Sequence, residues 1–430
     1  MENISPEERE KSLRIFHAQS ACLGAYWAIA MGTSIIFTGY GVDILGMTKE
    51  NAGFIGSFAF LAGAFQLFSF VFSNRVKSKK MFVVTCGLIE TLLLSAALLP
   101  PLILTGKIAQ QVSFVAMIFL VAVCSNVARP MLNNWLSGLI PEDRRGRYLS
   151  IRWLILNITR LIAVKLTLEY MGINNSLGGF ALVFILGSLC AFASYLFVMR
   201  IHIPTEAKES DYNFRDMIKS FKHKPFKDYF LFFIVLHIGF AFACSYYAPF
   251  FLVEVGLTYP QMSYYLVAYN IMLILGMLPA GRLVDRFGAR PLIYIMIIIY
   301  TIFFFMFPFF TKERLWLIVT VWGFVGLGDG LFFVAGFSAL YHSIPKGQAR
   351  IGSLALASGS VFLLMGIGPF VSRIYLALAD NLEFTFMGER IEKFRLMFGC
   401  IGVLLFVSLF AARRIGDTHT PRIPRKYRNR

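Results

Sequence analysis

The sequence has little charge. Only 15% of its 430 residues are Asp, Glu, Lys or Arg, against about 25% in an average soluble domain. It also lacks a Walker loop or other nucleotide cradle, a serine elbow, and any His/Cys cluster with metal-ligand spacing. The sequence therefore predicts no enzymatic activity, no cofactor and no bound metal, and it gives no support to ATP-driven chemistry.

Cysteine is also scarce, and its placement excludes a disulfide framework. No two of the six cysteines form a CxxC pair, and all six lie in apolar runs rather than in polar loops. A free cysteine in such surroundings behaves as a small buried hydrophobe. The six are Cys22, Cys86, Cys124, Cys190, Cys244 and Cys400.

Apolar residues are abundant, at 57% of the chain, and they gather in about twelve runs. Each run is close to the roughly 20 residues that a helix needs to cross a bilayer core of about 30 Å. The runs show no period-2 alternation, which excludes a membrane barrel and leaves helices as the spanning structure. The runs cover about 18–40, 51–72, 81–104, 112–138, 148–170, 177–199, 228–253, 260–280, 291–310, 315–342, 351–378 and 394–412. The sequence predicts an all-α integral membrane protein with twelve transmembrane helices.

The formal net charge of +17 is distributed in a way that indicates a membrane topology rather than nucleic-acid binding. Basic residues gather in alternate loops, as the positive-inside rule requires of cytoplasmic segments, and the intervening loops are neutral or acidic. We therefore expect both termini in the cytoplasm, with the basic tail near anionic headgroups. The basic clusters are Arg75, Lys77, Lys79 and Lys80; Arg144, Arg145 and Arg147; and Arg413, Arg414, Arg422, Arg425, Lys426, Arg428 and Arg430.

One long polar stretch, from Arg200 to Asp228, divides the apolar runs six and six. Within it, Asp211–His223 has apolar residues at helical spacing and is predicted to form a short amphipathic helix on the cytoplasmic surface. The predicted units are an N-terminal half 1–199, a linker 200–227, a C-terminal half 228–414 and a basic tail 415–430.

The ten residues Gly281–Arg290, GRLVDRFGAR, separate two apolar runs. Their pattern resembles the signature loop of the major facilitator superfamily, which lies between the second and third helices of each half. A degraded copy about 210 residues earlier has Asn74 in place of Asp285 and Arg75 in place of Arg286. The loop after the fourth run, Ile140–Arg147, has a similar echo in Ile344–Arg350.

This resemblance implies two six-helix halves around a central cavity that opens alternately to the two sides. In the family the Asp of the signature loop holds the cytoplasmic ends together in the outward-open state. We expect the Asp285 carboxylate to bind a helix N-terminus, and uncharged Asn74 to hold the first half more weakly. The predicted gating residues are Gly281, Asp285, Arg286, Gly288, Arg290, Asn74, Arg75 and Arg147.

Ionisable residues inside the predicted spans are expected to be functional, because each costs about 2.5–3.5 kcal/mol at mid-membrane on insertion scales. Arg129 and Asp329 fall on the fourth and tenth helices, which line the cavity in the family. Arg160 and Glu90 lie in the fifth and third runs. The alternative interpretation of these charges is a buried ion pair between Arg129 and Glu90 or Asp329. A further pair, Lys165 with Glu169, is predicted to be structural from its i, i+4 spacing.

Neutral candidates accompany these charges. Asn133 is one turn from Arg129 on the same helix face. Tyr26 and Trp27 lie in the first run, and His237 lies in the seventh. The substrate-binding set predicted from the sequence is Arg129, Arg160, Asp329, Asn133, Trp27, Tyr26 and His237, and the candidates for proton coupling are Asp329 and Glu90.

The sequence predicts a monomeric, multi-pass secondary transporter or facilitator in the inner or plasma membrane, which moves a small polar solute by alternating access. It leaves open whether the solute is anionic and whether protons or another co-ion are coupled. Efflux of lipophilic compounds and solute sensing without flux are the alternatives. The subfamily is not assignable, because neither the Gly-Pro-rich fifth helix of drug/proton antiporters nor the Pro-Glu-Ser-Pro-Arg pattern of sugar porters is present.

Overall fold

A computed structural model provides the coordinates of the chain. It describes residues 5–30, 34–65, 76, 78–140, 145–202, 220–344, 349–379, 382, 384–386 and 389–416. The expected amphipathic helix Asp211–His223 therefore lies mostly outside the described residues, as do Asn74, Arg75 and the end of the basic tail.

Within these ranges the structure contains twelve long helices, one for each apolar run, which confirms the predicted fold class. The first half comprises α1 (Pro6–Ala30), α2 (Lys49–Gly63), α3 (Lys79–Ala96), α4 (Lys107–Leu139), α5 (Arg145–Ile173) and α6 (Leu177–Met199). The second half comprises α7 (Lys224–Ala243), α8 (Tyr259–Phe287), α9 (Ala289–Phe305), α10 (Leu315–Ser343), α11 (Ala349–Leu378) and α12 (Lys393–Ala412). A short hairpin, β1 (Phe384–Phe386) with β2 (Glu389–Ile391), precedes α12.

The outer surface of the helix bundle is suited to contact with lipid. Eight helical segments of the described chain are long and apolar enough to span a membrane by themselves. Large apolar side chains such as Leu166, Leu189 and Leu278 are exposed on the outside of the bundle. A soluble protein rarely exposes apolar surface in such continuous patches, whereas a bilayer favours it.

The two halves contain the same backbone feature at equivalent positions, 210 residues apart. The first and seventh helical positions both end in a π-helical turn, Tyr40–Ile44 and Phe250–Glu254. Each turn is followed by a glycine with positive φ, Gly46 at 63° and Gly256 at 72°. Thr48 and Thr258 then cap α2 and α8 through their side chains. The same backbone device thus recurs 210 residues apart, as expected of duplicated halves.

The halves meet mainly through two pairs of helices. In the first half, α1 packs against α5 and α6, and in the second half α8 and α9 both pack against α10. Between the halves, α2 packs against α11, and α5 packs against α8. These two contacts flank the central space.

One expectation about the signature loop was wrong. Most of the ten-residue stretch is helical: α8 continues through Pro279 and Gly281 to Phe287, and α9 begins at Ala289. A proline is tolerated inside a membrane helix because neighbouring groups satisfy the freed backbone acceptor. The turn is confined to Gly288, whose φ of 81° favours a residue without Cβ.

Candidate functional site

A central cavity of about 260 Å³ lies between the two halves. Side chains from α1, α2 and α5 form one wall, and side chains from α8, α9 and α10 form the other. Its polar and aromatic lining consists of Trp27, Ser34, Phe60, Arg160, Thr167, Cys244, Tyr247, Tyr265, Tyr269, Tyr300, Trp322 and Asp329. A few polar groups in a mostly aromatic wall are typical of a small-molecule site, and the volume lies near the small end of such sites.

Asp329 is the only carboxylate among the described residues that line this cavity. The Tyr269 hydroxyl donates to Asp329 Oδ2 at 2.7 Å, and the Tyr300 hydroxyl lies 2.9 Å from each carboxylate oxygen. These three residues come from α8, α10 and α9, so the carboxylate ties three helices together. Two hydroxyl donors fix the orientation of Asp329 and supply part of the hydration that burial removes.

Glycines explain how Tyr269 reaches Asp329. A Cβ on Gly326 would stand 2.1 Å from the Tyr269 carbonyl oxygen, and one on Gly330 would stand 2.3 Å from the Leu273 carbonyl oxygen. A Cβ on Gly276 would likewise meet the Leu327 carbonyl at 2.5 Å. The backbones of α8 and α10 therefore touch in a way that only glycine permits, as in other small-residue contacts between membrane helices.

Arg160 lies on the wall contributed by the first half. Its Nε atom is buried and has no hydrogen-bond partner. Among the described residues, no carboxylate oxygen lies within the 4.0 Å of its guanidinium that defines an ion pair. A guanidinium that forms no ion pair offers a planar set of donors that matches a carboxylate or phosphate.

Aromatic rings form the wall between these charges. The Trp322 ring lies 5.0 Å from the Tyr265 ring and 5.5 Å from the Tyr247 ring, measured between centroids. The Trp322 indole Nε1 is buried without a hydrogen-bond partner. The wall thus presents flat aromatic faces to the cavity.

A second, smaller cavity of about 120 Å³ adjoins the first, because Trp27 and Phe60 line both. Arg129 lies in its wall, where the guanidinium stands over the Trp27 ring at 5.1 Å from the centroid. Arg129 also donates to the Ser125 hydroxyl at 3.3 Å. Within the described part of the chain, no direct ion pair joins Arg129 to Glu90 or Asp329, so the expected alternative of such a pair is not what the structure shows.

Glu90 is fully buried and lines neither cavity. It accepts a short hydrogen bond from the Tyr26 hydroxyl and another from the Tyr195 hydroxyl at 2.5 Å. The N-terminal half therefore holds its carboxylate as the C-terminal half holds Asp329, between two tyrosines. The difference is access, since only Asp329 faces the central space.

The other residues that the sequence singled out lie away from the cavities or outside the described chain. The His237 ring Nδ1 lies 2.7 Å from the Phe233 carbonyl, and His237 is not among the lining residues of either cavity. The side chains of Asn133 and Arg147 are not described, although both positions are helical. The Lys165–Glu169 pair is present, with 2.5 Å between Nζ and Oε1.

At the basic face, the gating candidates have different surroundings. Asp285 is exposed and has no hydrogen bond or ion pair among the described residues. Arg286 stacks on the neighbouring Phe287 ring at 5.0 Å. Arg290 donates through Nη2 to the Ile415 carbonyl just after α12. A Cβ on Gly281 would meet nothing within 4 Å, so packing does not require glycine there.

The opposite face, called here the outer face, carries Gly46, Gly106 and Gly256. Polar contacts among the described residues cross between the halves toward this face, including one from the Lys165 ammonium to the Ser263 hydroxyl at 3.3 Å. Lys49 pairs with Glu254, Lys393 pairs with Glu50 at 3.4 Å, and the Tyr259 hydroxyl donates to Asp43 at 2.5 Å. These contacts hold the outer ends of the halves together.

Charge reversal of Lys49 is expected to open the outer face, because Lys49→Glu would place a second carboxylate against the buried Glu254. Cys244 lines the central cavity and serves as the reporter in a variant that lacks the other five cysteines. We expect a membrane-impermeant maleimide added outside to label Cys244 about tenfold faster, equivalent to about 1.4 kcal/mol. Lys312→Glu, on a neighbouring outer loop, is the control. Labelling that stays high in the double reversal Lys49→Glu/Glu254→Lys would show that the pair itself is not responsible.

Several of these residues were missed at the level of sequence. Tyr269, Tyr300 and Tyr195 are three of 18 tyrosines, and no spacing rule distinguishes them. The contacts of Lys49 and Glu254 join residues 205 positions apart. A signal did exist in the paired Gly-x-Thr segments at Gly46 and Gly256, which mark the same point in each half.

Comparison with known proteins agrees with this architecture. The sequence matches the family model of the Major Facilitator Superfamily over residues 22–269 and again over residues 229–429. No curated protein matches the sequence.

Solved structures share the fold at low sequence identity. The nucleoside transporter NupG is 17% identical, with 95% of this chain and 98% of that chain covered and a TM-score of 0.68. A D-xylose-proton symporter is 15% identical, with 94% and 98% covered and a TM-score of 0.71. A bacterial homolog of the human lysosomal transporter Spinster, inward-facing and occupied, is 14% identical, with 96% and 98% covered and a TM-score of 0.67.

Proposed function

The chain belongs to the major facilitator superfamily, and from this premise we propose that it is a secondary transporter for a small polar solute that carries a carboxylate or phosphate group. The observation that carries the proposal is Arg160, which lies in the wall of the central cavity and whose buried Nε atom has no hydrogen-bond partner. The cavity volume of about 260 Å³ restricts the solute to a small molecule.

The energetic argument rests on the cost of an unpaired charge. A cation at mid-membrane is costly unless a counter-charge or water-filled space accompanies it. Arg129 reduces this cost by stacking on Trp27, whereas the Arg160 Nε atom has no protein partner. An anionic solute would supply the missing acceptors, and the guanidinium would bind it in two places. The aromatic wall would pack against the remainder of the solute.

Asp329 supports proton coupling in the same cavity. A carboxylate that is ionised would repel an anionic solute nearby, and protonation would remove this repulsion. Binding of the solute and of a proton would then favour each other. Glu90 is sealed from both cavities by two tyrosines, so we assign it a structural role. One structural neighbour is a proton symporter, which makes coupling a direct question for this chain.

Alternating access is supported by a difference between the two faces in the polar contacts that join the halves. Several polar contacts join the halves toward the outer face, while Asp285 at the basic face is without a partner in the described chain. This is the pattern of a transporter that is closed outside. Formation of contacts by Asp285, with loss of the Lys49–Glu254 pair, would accompany opening to the other side.

Uptake into proteoliposomes tests the proposal. A panel of small monocarboxylates, dicarboxylates and phosphorylated solutes is compared with uncharged pentoses and nucleosides, with and without an inward proton gradient. We expect uptake of at least one anionic solute, stimulated by the gradient in the wild type. In Asp329→Asn the stimulation is expected to disappear, because the group that exchanges the proton is gone. Glu90→Gln is the matched control and should keep the stimulation.

The panel also separates the alternative functions. Uptake of uncharged solutes only would contradict the anionic assignment while leaving a transporter. Efflux of lipophilic compounds would require that cavity charges be dispensable, so that Arg160→Gln retained full activity. Saturable binding by the purified protein with no flux in either direction would indicate a sensor.

A further inference from the structure

A long apolar groove runs along the outside of the bundle, separate from the central cavity. It encloses about 1000 Å³ between α2, α4 and α11. Its lining is apolar and aromatic except for two amides at one end, Asn51 and Gln111. The residues that matter for the argument are Phe54, Phe58, Val112, Phe119 and Phe370.

We propose that this groove binds one glycerophospholipid from the outer leaflet, with an acyl chain in the groove and its phosphate at Lys107. The proposal concerns a site of its own and does not depend on the identity of the transported solute.

The length and depth of the groove fit one leaflet. On α4 the lining begins at Ile108, in the first turn at the outer face, and ends at Phe119. Eleven residue steps of a helix rise about 16 Å. Half of a hydrocarbon core is about 15 Å thick. The groove therefore begins where the outer headgroups lie and ends near the middle of the bilayer, which suits a single acyl chain.

The outer end of the groove offers partners for a headgroup. Lys107 immediately precedes Ile108, is exposed, and has no ion pair or hydrogen bond among the described residues. Gln111 lies one turn further along, and its amide donates to the Leu45 carbonyl at 3.0 Å. The Lys107 ammonium provides charge complementarity to a phosphate, whereas an uncharged lipid would leave this charge without a partner.

The groove also lies on the seam between the halves. Phe370 of α11 packs against Phe54 and Phe58 of α2, with ring centroids 5.0 Å and 5.7 Å apart. All three rings line the groove. An acyl chain held there contacts both halves at once and fills space beside rings that must separate or slide when the halves move.

Retention of lipid by the purified full chain tests the proposal. Native mass spectrometry in detergent counts bound dioleoyl phosphatidylglycerol during titration, and dioleoylglycerol, which lacks the phosphate, is titrated in parallel. We expect one tightly held phosphatidylglycerol and much weaker binding of dioleoylglycerol. Val112→Trp fills the groove from a position that is 62% exposed, so the protein is expected to fold normally. Its affinity for phosphatidylglycerol should fall at least about tenfold.

Matched controls isolate the site. Leu189→Trp places the same ring on the lipid-facing side of α6, at a position 56% exposed, and should bind as the wild type does. Lys107→Glu should weaken phosphatidylglycerol binding about fivefold and leave dioleoylglycerol unchanged, while Lys312→Glu on the same face should have no effect. Equal binding of the two lipids, or unchanged binding in Val112→Trp, would overturn the proposal. So would equal weakening by Lys107→Glu and Lys312→Glu, which would show only general surface attraction.

Discussion

Arg160→Gln is expected to lower the affinity for the transported solute by about thirtyfold or more, because it removes one partner of a buried, charge-assisted contact that is worth at least about 2 kcal/mol. The variant should fold, since Arg160 Nε has no protein partner to lose. Binding of the best solute from the uptake panel is measured on purified protein by isothermal titration calorimetry.

Two further variants separate charge from geometry. Arg160→Lys keeps the charge but loses the planar pair of donors, so we expect affinity between that of the wild type and that of the Gln variant. Lys165→Gln removes a cation from the same helix, outside the central lining, where it pairs with Glu169 and donates to Ser263; the amide of Gln can still donate a hydrogen bond. Its affinity should match the wild type. A wild-type affinity in Arg160→Gln, with a folded protein, would remove Arg160 from the binding site and with it the reason for an anionic solute.

Gly326→Ala is expected to destabilise the protein by about 1–3 kcal/mol, the usual cost of overpacking. The added methyl would meet the Tyr269 carbonyl oxygen at 2.1 Å, which is backbone and unable to move alone. The helices α8 and α10 would have to separate, and the 2.7 Å bond between Tyr269 and Asp329 would lengthen or break. Transport should fall with stability, since the same displacement disturbs the cavity wall.

Gly328→Ala is the control for this effect, two residues away on the same helix. Its methyl would stand 3.4 Å from the Ile299 side chain, an ordinary contact. Replacing Gly by Ala inside a helix is favourable by up to about 1 kcal/mol, so this variant should be as stable as the wild type or more stable. Unfolding in mixed detergent micelles gives the free energies. Equal stability of the two variants would show that α8 and α10 do not need glycine at position 326.

The two halves hold a carboxylate in the same way, but the two carboxylates have different surroundings. Each holds a carboxylate between two tyrosines, Glu90 in the first half and Asp329 in the second. Glu90 is fully buried, whereas Asp329 lines the central cavity opposite Arg160. A duplicated fold thus carries one carboxylate that stabilises packing and one that is available to a solute or proton.

The sequence by itself determined the class and the topology of this protein. Twelve apolar runs require helices, because lipid leaves no other partner for the backbone. The distribution of basic residues sets the orientation, and the stretch around Asp285 indicates the family. These features are local: each depends on a run of neighbouring residues, and the structure reproduces all twelve helices in the described chain.

Only the tertiary structure decided which polar residues meet. Arg129, Arg160, Glu90 and Asp329 are all visible in the sequence as charges inside apolar runs, yet the sequence does not reveal that Arg160 is unpaired and Glu90 sealed. Tyr195 donates to Glu90, and Tyr269 and Tyr300 donate to Asp329. These tyrosines lie on other helices, between 29 and 105 positions away in the sequence. These contacts depend on how each helix is rotated about its axis. They also depend on the close approach of α8 and α10 that Gly326 and Gly330 permit. Both arise from packing between helices, which no local pattern encodes.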